Sequence, residues 1–182
     1  MHRFLPKALA VLCGTLFALA IGEGVVRLAG AAPEVAEVQH GRLRLSANPR
    51  LLFEPVPALE YDGPPSSAYE YRGISNSLGY RDRERSLAKP PGVYRIVVIG
   101  DSIAAGYQVE RTEDVFPALL EAALREEGRG AGGIEVLNFG VTGYNTAQEV
   151  ETLRSRALRF DPDLVILAYC HNDRRPPDPR IL

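Results

Sequence analysis

Residues Tyr94 to Gly106 read YRIVVIGDSIAAG. Apart from Arg95, Tyr94 to Ile99 is an unbroken apolar, β-branched-rich run, the pattern of a strand buried on both faces of a parallel sheet. Gly100 ends the run, and Asp101 and Ser102 stand where the chain must turn towards a helix. In an open α/β sheet that turn lies at the carboxyl end of the strand, where ligands bind. A serine placed there rests on a rigid support beside amide groups that can receive developing negative charge. Ser102 is therefore the candidate nucleophile, with Asp101 in support.

Downstream the pattern alternates between helix and strand. Asp114 is expected to cap a helix whose apolar positions Phe116, Leu119, Leu120, Ala123 and Leu124 share one face. Pro117 fits its first turn and Gly128 its end. The glycine-rich loop Gly128 to Gly133 leads into a second strand, Ile134 to Phe139. Asn145 with Gln148 three residues on resembles a capping box for a helix over Thr146 to Arg159, with Val150, Leu153 and Leu158 facing inward. Asp161-Pro162-Asp163 ends that helix, and Leu164 to Tyr169 is a third buried strand. This alternation predicts an α/β fold with a doubly wound parallel sheet, a partial flavodoxin-like three-layer αβα arrangement, strands in spatial order second, first, third.

Upstream the reading is coarser. The chain has 182 residues and a formal net charge of −2, ordinary soluble-domain composition without a basic run, which argues against nucleic acid as a partner. His2, Arg3 and Lys7 precede an uncharged segment, Ala8 to Gly22. Extended back to Phe4, the segment is about 28 Å long as a helix, enough for a bilayer core. An uncleaved signal anchor over residues 1–28 is expected, with a cleaved signal peptide ending near Ala29-Gly30-Ala31 as the alternative; both put the remainder outside the cytoplasm. Residues 29–92 are punctuated by prolines and read as a stalk, with His40 on its surface, and a small irregular β subdomain. Its ordered pieces are Arg50 to Pro55 and Tyr69 to Arg81, the latter turning at Asn76 and Gly79. Arg81 to Arg85 (RDRER) reads as a solvated charged loop. Residues 93–182 are the α/β domain. Cys13 and Cys170 lie too far apart in the pattern for an expected disulfide, and no Cys/His cluster has metal-ligand spacing, so no metal site is expected; no cofactor is expected either.

Three loops leave the carboxyl ends of the three strands: Gly100-Asp101-Ser102, Asn138 to Gly143, and Cys170-His171-Asn172-Asp173. Acyl transfer needs a hydroxyl nucleophile and donors aimed at a tetrahedral oxyanion. Ser102 offers a hydroxyl and its own N–H, and Gly143 an N–H that substrate can approach closely. Asn172 offers a carboxamide N–H that no protonation state removes.

In this order and spacing the chain resembles the SGNH hydrolases, also called the GDSL esterase/lipase superfamily. Ser102 matches the nucleophile of the first block, Gly143 the glycine of the second (Asn-x-Gly-x-x-Gly, Asn138 to Gly143), and Asn172 the asparagine of the third (Gly-x-Asn-Asp). Asn76 to Arg81 (NSLGYR) is similar to the exported, membrane-anchored bacterial members. The resemblance covers about Tyr69 to Asp173. It implies ester or thioester hydrolysis, or acyl transfer to and from carbohydrates, with no metal, small-molecule or carbohydrate esters as substrates, and the membrane as a partner through the first helix. Two positions depart from it. Cys170 replaces the glycine of the third block, and no aspartate has a histidine three residues after it, so the fourth block, Asp-x-x-His, is missing. Losing the histidine of a serine triad costs on the order of a millionfold in kcat. His171 adjoins Asn172, but alternation points it away from the side Asn172 faces. The resemblance implies a longer sheet, and a third strand with an open apolar edge is an aggregation site, so the chain is expected to be a fragment or truncated product with negligible turnover. Three readings follow: an anchored, exported ester hydrolase of carboxylic or acetyl esters, an O-acyltransferase acting on cell-surface polysaccharide, or a noncatalytic binding module that keeps the pocket.

Overall fold

The computed structural model describes residues 5–28, 42–61, 73–130, 132–174 and 176. The chain divides into two compact units, Met1–Val35 and Ala36–Leu182. The first holds one helix, α1 (Leu5–Leu28). Its large apolar side chains, among them Leu12, Phe17 and Leu19, are exposed. Among the described residues no helix is long and apolar enough to cross a membrane. The expected spanning anchor is therefore not supported; α1 contains the uncharged segment together with the flanking Lys7, Glu23 and Arg27. Residues 29–41 and 62–72, which hold the possible cleavage site, His40 and the start of the Tyr69 to Arg81 stretch, lie outside the described residues.

The second unit opens with two short antiparallel pairs, β1 (Leu43–Leu45) with β2 (Phe53–Pro55) and β3 (Glu60–Tyr61) with β4 (Gly73–Ile74). Then come β5 (Tyr94–Gly100), α2 (Ser102–Ala105), α3 (Phe116–Glu126), β6 (Ile134–Gly140), α4 (Thr146–Ser155) and β7 (Leu164–Ala168). The last three strands form a parallel sheet in the order β6-β5-β7, the order the alternation predicts. Because side chains alternate across a strand, β5 feeds two cores. Val97 and Ile99 join Leu137, Phe139, Ala157 and Phe160 on one face, and Ile96 and Val98 join Ile134, Val136 and the apolar side of α3 on the other. Val97 and Val98 are fully buried, each contributing about 1.5–3 kcal/mol.

Several local expectations change. Asp114 does not cap α3; it lies in a 3-10 turn, Thr112–Asp114, and the helix starts after Val115 with no side-chain cap. Leu119 is exposed while Glu121 is buried. The capping box of α4 is present, with Asn145 accepting from the Gln148 amide at 3.1 Å and Gln148 Oε1 from the Asn145 amide at 3.2 Å. The helix ends at Ser155, however, and a separate 3-10 turn, Ala157–Phe160, fills the rest of the expected span. Of the expected inward positions Leu153 packs against the core, but Val150 and Leu158 are exposed and the buried residues of α4 are Gln148, Glu149 and Thr152. The reason is what α4 meets. The chain around β2 presents backbone carbonyls: Gln148 Nε2 donates to Leu51 O at 2.6 Å, and Tyr144 OH, just ahead of α4, to Phe53 O at 2.7 Å. A polar neighbour selects polar partners. With Leu51 and Phe53 in the same core as Val97 and Ile99, β2 is built into the fold. The charged stretch after Tyr80 is not a solvated loop either: Arg81 is buried, as are the side chains of Asp82 and Arg85.

Candidate active site

Register brings the loops together. Gly100 of β5 lies opposite Gly140 of β6 and Ala168 of β7. Three parallel strands thus end level, and the loops carrying Ser102, Gly143 and Asn172 leave the same edge of the sheet.

In the first loop Asp101 caps α2, its Oδ1 accepting from the Ile103 amide at 3.0 Å. Ser102 begins the helix, half-buried, and its hydroxyl donates to Asp101 Oδ2 at 3.4 Å. Arg81 secures the far end of the loop. It is 3% exposed and donates from Nη1 to Gly106 O at 2.7 Å and from Nη2 to Val109 O at 2.6 Å.

The second loop is held by Asn138. Its Nδ2 donates to Ala104 O at 2.9 Å and to Arg81 O at 3.1 Å, and its Oδ1 accepts from the Gly140 amide at 2.9 Å. One carboxamide thus links the helix that begins with Ser102, the Arg81 segment and its own turn. A Cβ on Gly140 would lie 2.4 Å from Ala105 N and 2.6 Å from Ala104 C. This glycine is required because α2 passes directly over it. Gly143 has φ +84°, a left-handed conformation that glycine adopts without the penalty a side chain brings.

The third loop is a 3-10 turn, His171–Arg174, which contains Asn172. Asp173 is buried within it, its Oδ2 accepting from the Cys170 amide at 2.5 Å. Burial pushes the Asp173 carboxyl up, as does the charge of Asp101, while the Cys170 amide pulls it down. Cys170 is half-buried and unpaired to sulfur. His171 is exposed, with Nε2 at 3.5 Å from Arg174 Nη2. Ser102 is hydrogen-bonded to Asp101 and to no histidine among the described residues.

Beside the first two loops lies a cavity of about 60 Å³ whose wall includes Arg42, Ser75, Tyr107 and Thr142. Among the described residues no group of three or more His, Cys, Asp or Glu side chains could hold a metal ion. Sequence reasoning missed the roles of Arg81 and of the Asn138 side chain. Their only trace is a position in the NSLGYR stretch and in the Asn-x-Gly-x-x-Gly motif.

Comparison with known proteins agrees with the motif reading. Residues 98–181 match the GDSL-like lipase/acylhydrolase family. An arylesterase of Vibrio mimicus is 34% identical over 79 residues, covering 43% of this chain and 38% of the relative. The crystal structure of AlinE4, an SGNH-hydrolase family esterase, is 30% identical, with a TM-score of 0.35, over 43% of this chain and 41% of its own. A mutant of the same esterase matches equally. The chain thus spans about two fifths of the length of these relatives. Residues 98–181 are thus similar to the GDSL-like lipase/acylhydrolase family and to an arylesterase sequence.

Proposed function

We infer that this segment carries the nucleophile and oxyanion donors of a serine ester hydrolase. Ser102 Oγ gives its proton to a base and attacks the acyl carbonyl; the tetrahedral oxyanion is received by the N–H groups of Ser102 and Gly143 and by the Asn172 carboxamide. The alcohol then leaves with a proton, and water frees the acid from the Ser102 ester. The observation that carries this reading is the register that ends three motif-bearing strands level at Gly100, Gly140 and Ala168. Carboxylic or acetyl esters of small molecules or carbohydrates are the proposed substrate class, in keeping with the arylesterase relative.

A base must take the serine proton, and this sequence has no Asp-x-x-His. The 182-residue chain is therefore expected to turn over p-nitrophenyl acetate on the order of a millionfold below a complete triad, and because what remains comes from the oxyanion hole and binding, Ser102→Ala is expected to change it little. Binding is a cleaner test. A phenylboronate, which forms a tetrahedral adduct on a reactive serine, is expected to bind the chain, to fail with Ser102→Ala and to bind more weakly with Asn172→Ala. Equal binding by all three proteins sinks the reading. The noncatalytic alternative rests on one observation: among the described residues Ser102 is hydrogen-bonded to an acid and not to a histidine. It is favoured if the boronate fails but ester analogues bind. Export belongs to the same proposal, supported by the basic start and the uncharged run that follows; an alkaline phosphatase fusion at Leu182 that stays inactive refutes it.

A further inference from the structure

The first turn of α4 carries an acid that the proposed chemistry leaves unused. Glu149 is 1% exposed, and neither of its carboxylate oxygens has a hydrogen-bond partner. The charges acting on it are Asp173, beyond the end of β7, and Asp101, at the end of β5; both are acids and both are buried. Asp101 is already engaged with the Ile103 amide and the Ser102 hydroxyl. Asp173 uses Oδ2 for the Cys170 amide, and its Oδ1 has no partner. Glu149 with both oxygens bare and Asp173 with one would be a costly pair if both were ionised and buried. One proton relieves it by turning an acceptor into a donor. Burial first, then the charges of Asp173 and Asp101, push the Glu149 carboxyl up to about 7. The positive start of α4 pulls the other way, a weaker effect than burial.

We propose that Glu149 is a positioning residue held as a neutral carboxylic acid, donating its proton to Asp173 and so tying the strand-end loops into one unit. Through Asp101 it acts on Ser102, and through Asp173 on the turn that contains Asn172. The inference deepens the esterase reading and rests on it only for the meaning of those two residues. Its test uses no turnover, so the esterase reading can fail without it.

The experiment is a pH titration of the full 182-residue chain with isotope-labelled glutamate carboxyl carbons, followed by NMR. One glutamate signal is expected to titrate near 7, against the ordinary 4.5, and to be missing in Glu149→Gln. The sign for stability follows from linkage. An acid whose folded value is raised contributes stability in full below about 4.5, and that contribution is lost as pH climbs to about 7. Glu149→Gln keeps a donor and never ionises. Urea unfolding at pH 8 should find it more stable than the parent, by up to on the order of a hundredfold in the folding constant, with the slope across that window flattened. Glu149→Ala has no donor and should fall below the Gln variant at every pH. The proposal is overturned if all glutamate signals titrate near 4.5, or if the Gln and Ala variants are equally destabilised at pH 8.

Discussion

Along the outer edge of β6, backbone groups that no strand pairs are met by ionic side chains. The Val136 amide donates to Glu121 Oε2 at 2.7 Å, the Asn138 amide to Asp82 Oδ2 at 3.1 Å, and Arg85 Nη2 donates to Val136 O at 2.6 Å. Glu121 in turn holds Arg85 at 2.8 Å, Arg83 at 2.7 Å and Arg125 at 3.0 Å. Along the outer edge of β7, no strand pairs among the described residues, and Leu167 is 45% and Tyr169 55% exposed. Open apolar edges recruit other strands, and proteins protect them with charge. One edge of this sheet is therefore closed by charged side chains, while the other, among the described residues, is left open. The closed edge lies beside the Arg81 and Asn138 hydrogen bonds that hold the Ser102 helix, so the best-supported side of the candidate site adjoins it.

The largest effect should come from opening the closed edge. Glu121→Ala takes one of the two acids that hold Arg85 and leaves the buried Val136 amide without its partner, and is expected to cost about 3 kcal/mol, the upper end for an orphaned buried group, measured by urea unfolding. A loss under about 1 kcal/mol would mean that this edge is held by packing and not by ions. Next is Asn138→Ala, which leaves the carbonyls of Ala104 and Arg81 and the Gly140 amide without their partner. It should cost about 1–3 kcal/mol and weaken boronate binding, whereas a mutation acting on the edge alone would leave that binding intact. Gly140→Ala should cost a similar 1–3 kcal/mol, because its new methyl meets backbone that has nowhere to move. The smallest effect on stability, within about 0.5 kcal/mol, is expected for Leu167→Lys on the open side. Its readout is association: light scattering should fall, since a charged edge is a poor template. Unchanged scattering would show that β7 is not the associating surface.

Much of this was legible in sequence. Tyr94 to Ile99 and Ile134 to Phe139 are read correctly because a strand buried on both faces leaves a continuous apolar run that needs no partner to recognise. The third run does form a strand, but it ends at Ala168 and none of its residues is buried, because its outer edge is unpaired among the described residues. Asn145 and Gln148 are equally legible, since a capping box is satisfied within four residues. The inward face of α4 was not, because Gln148 turns inward only where the carbonyl of Leu51, far away in sequence, is waiting for a donor. The RDRER stretch misled for the same reason: Asp82 and Arg85 are buried against Glu121 and β6, and charge alternation looks the same whether water or a strand edge receives it.

By itself, then, the sequence determined the three strands, their parallel order and the placing of Ser102, Gly143 and Asn172 on successive turns, all consequences of local apolar pattern and chain connectivity. Tertiary structure alone decided which charges are buried, that Asn138 and Arg81 hold the Ser102 loop, that Gly140 must lack a side chain, and that Glu149 is buried with both oxygens unpartnered. Those facts depend on groups distant in the chain meeting where water is excluded, and a dielectric environment is a property of the assembled fold, not of any one stretch of it.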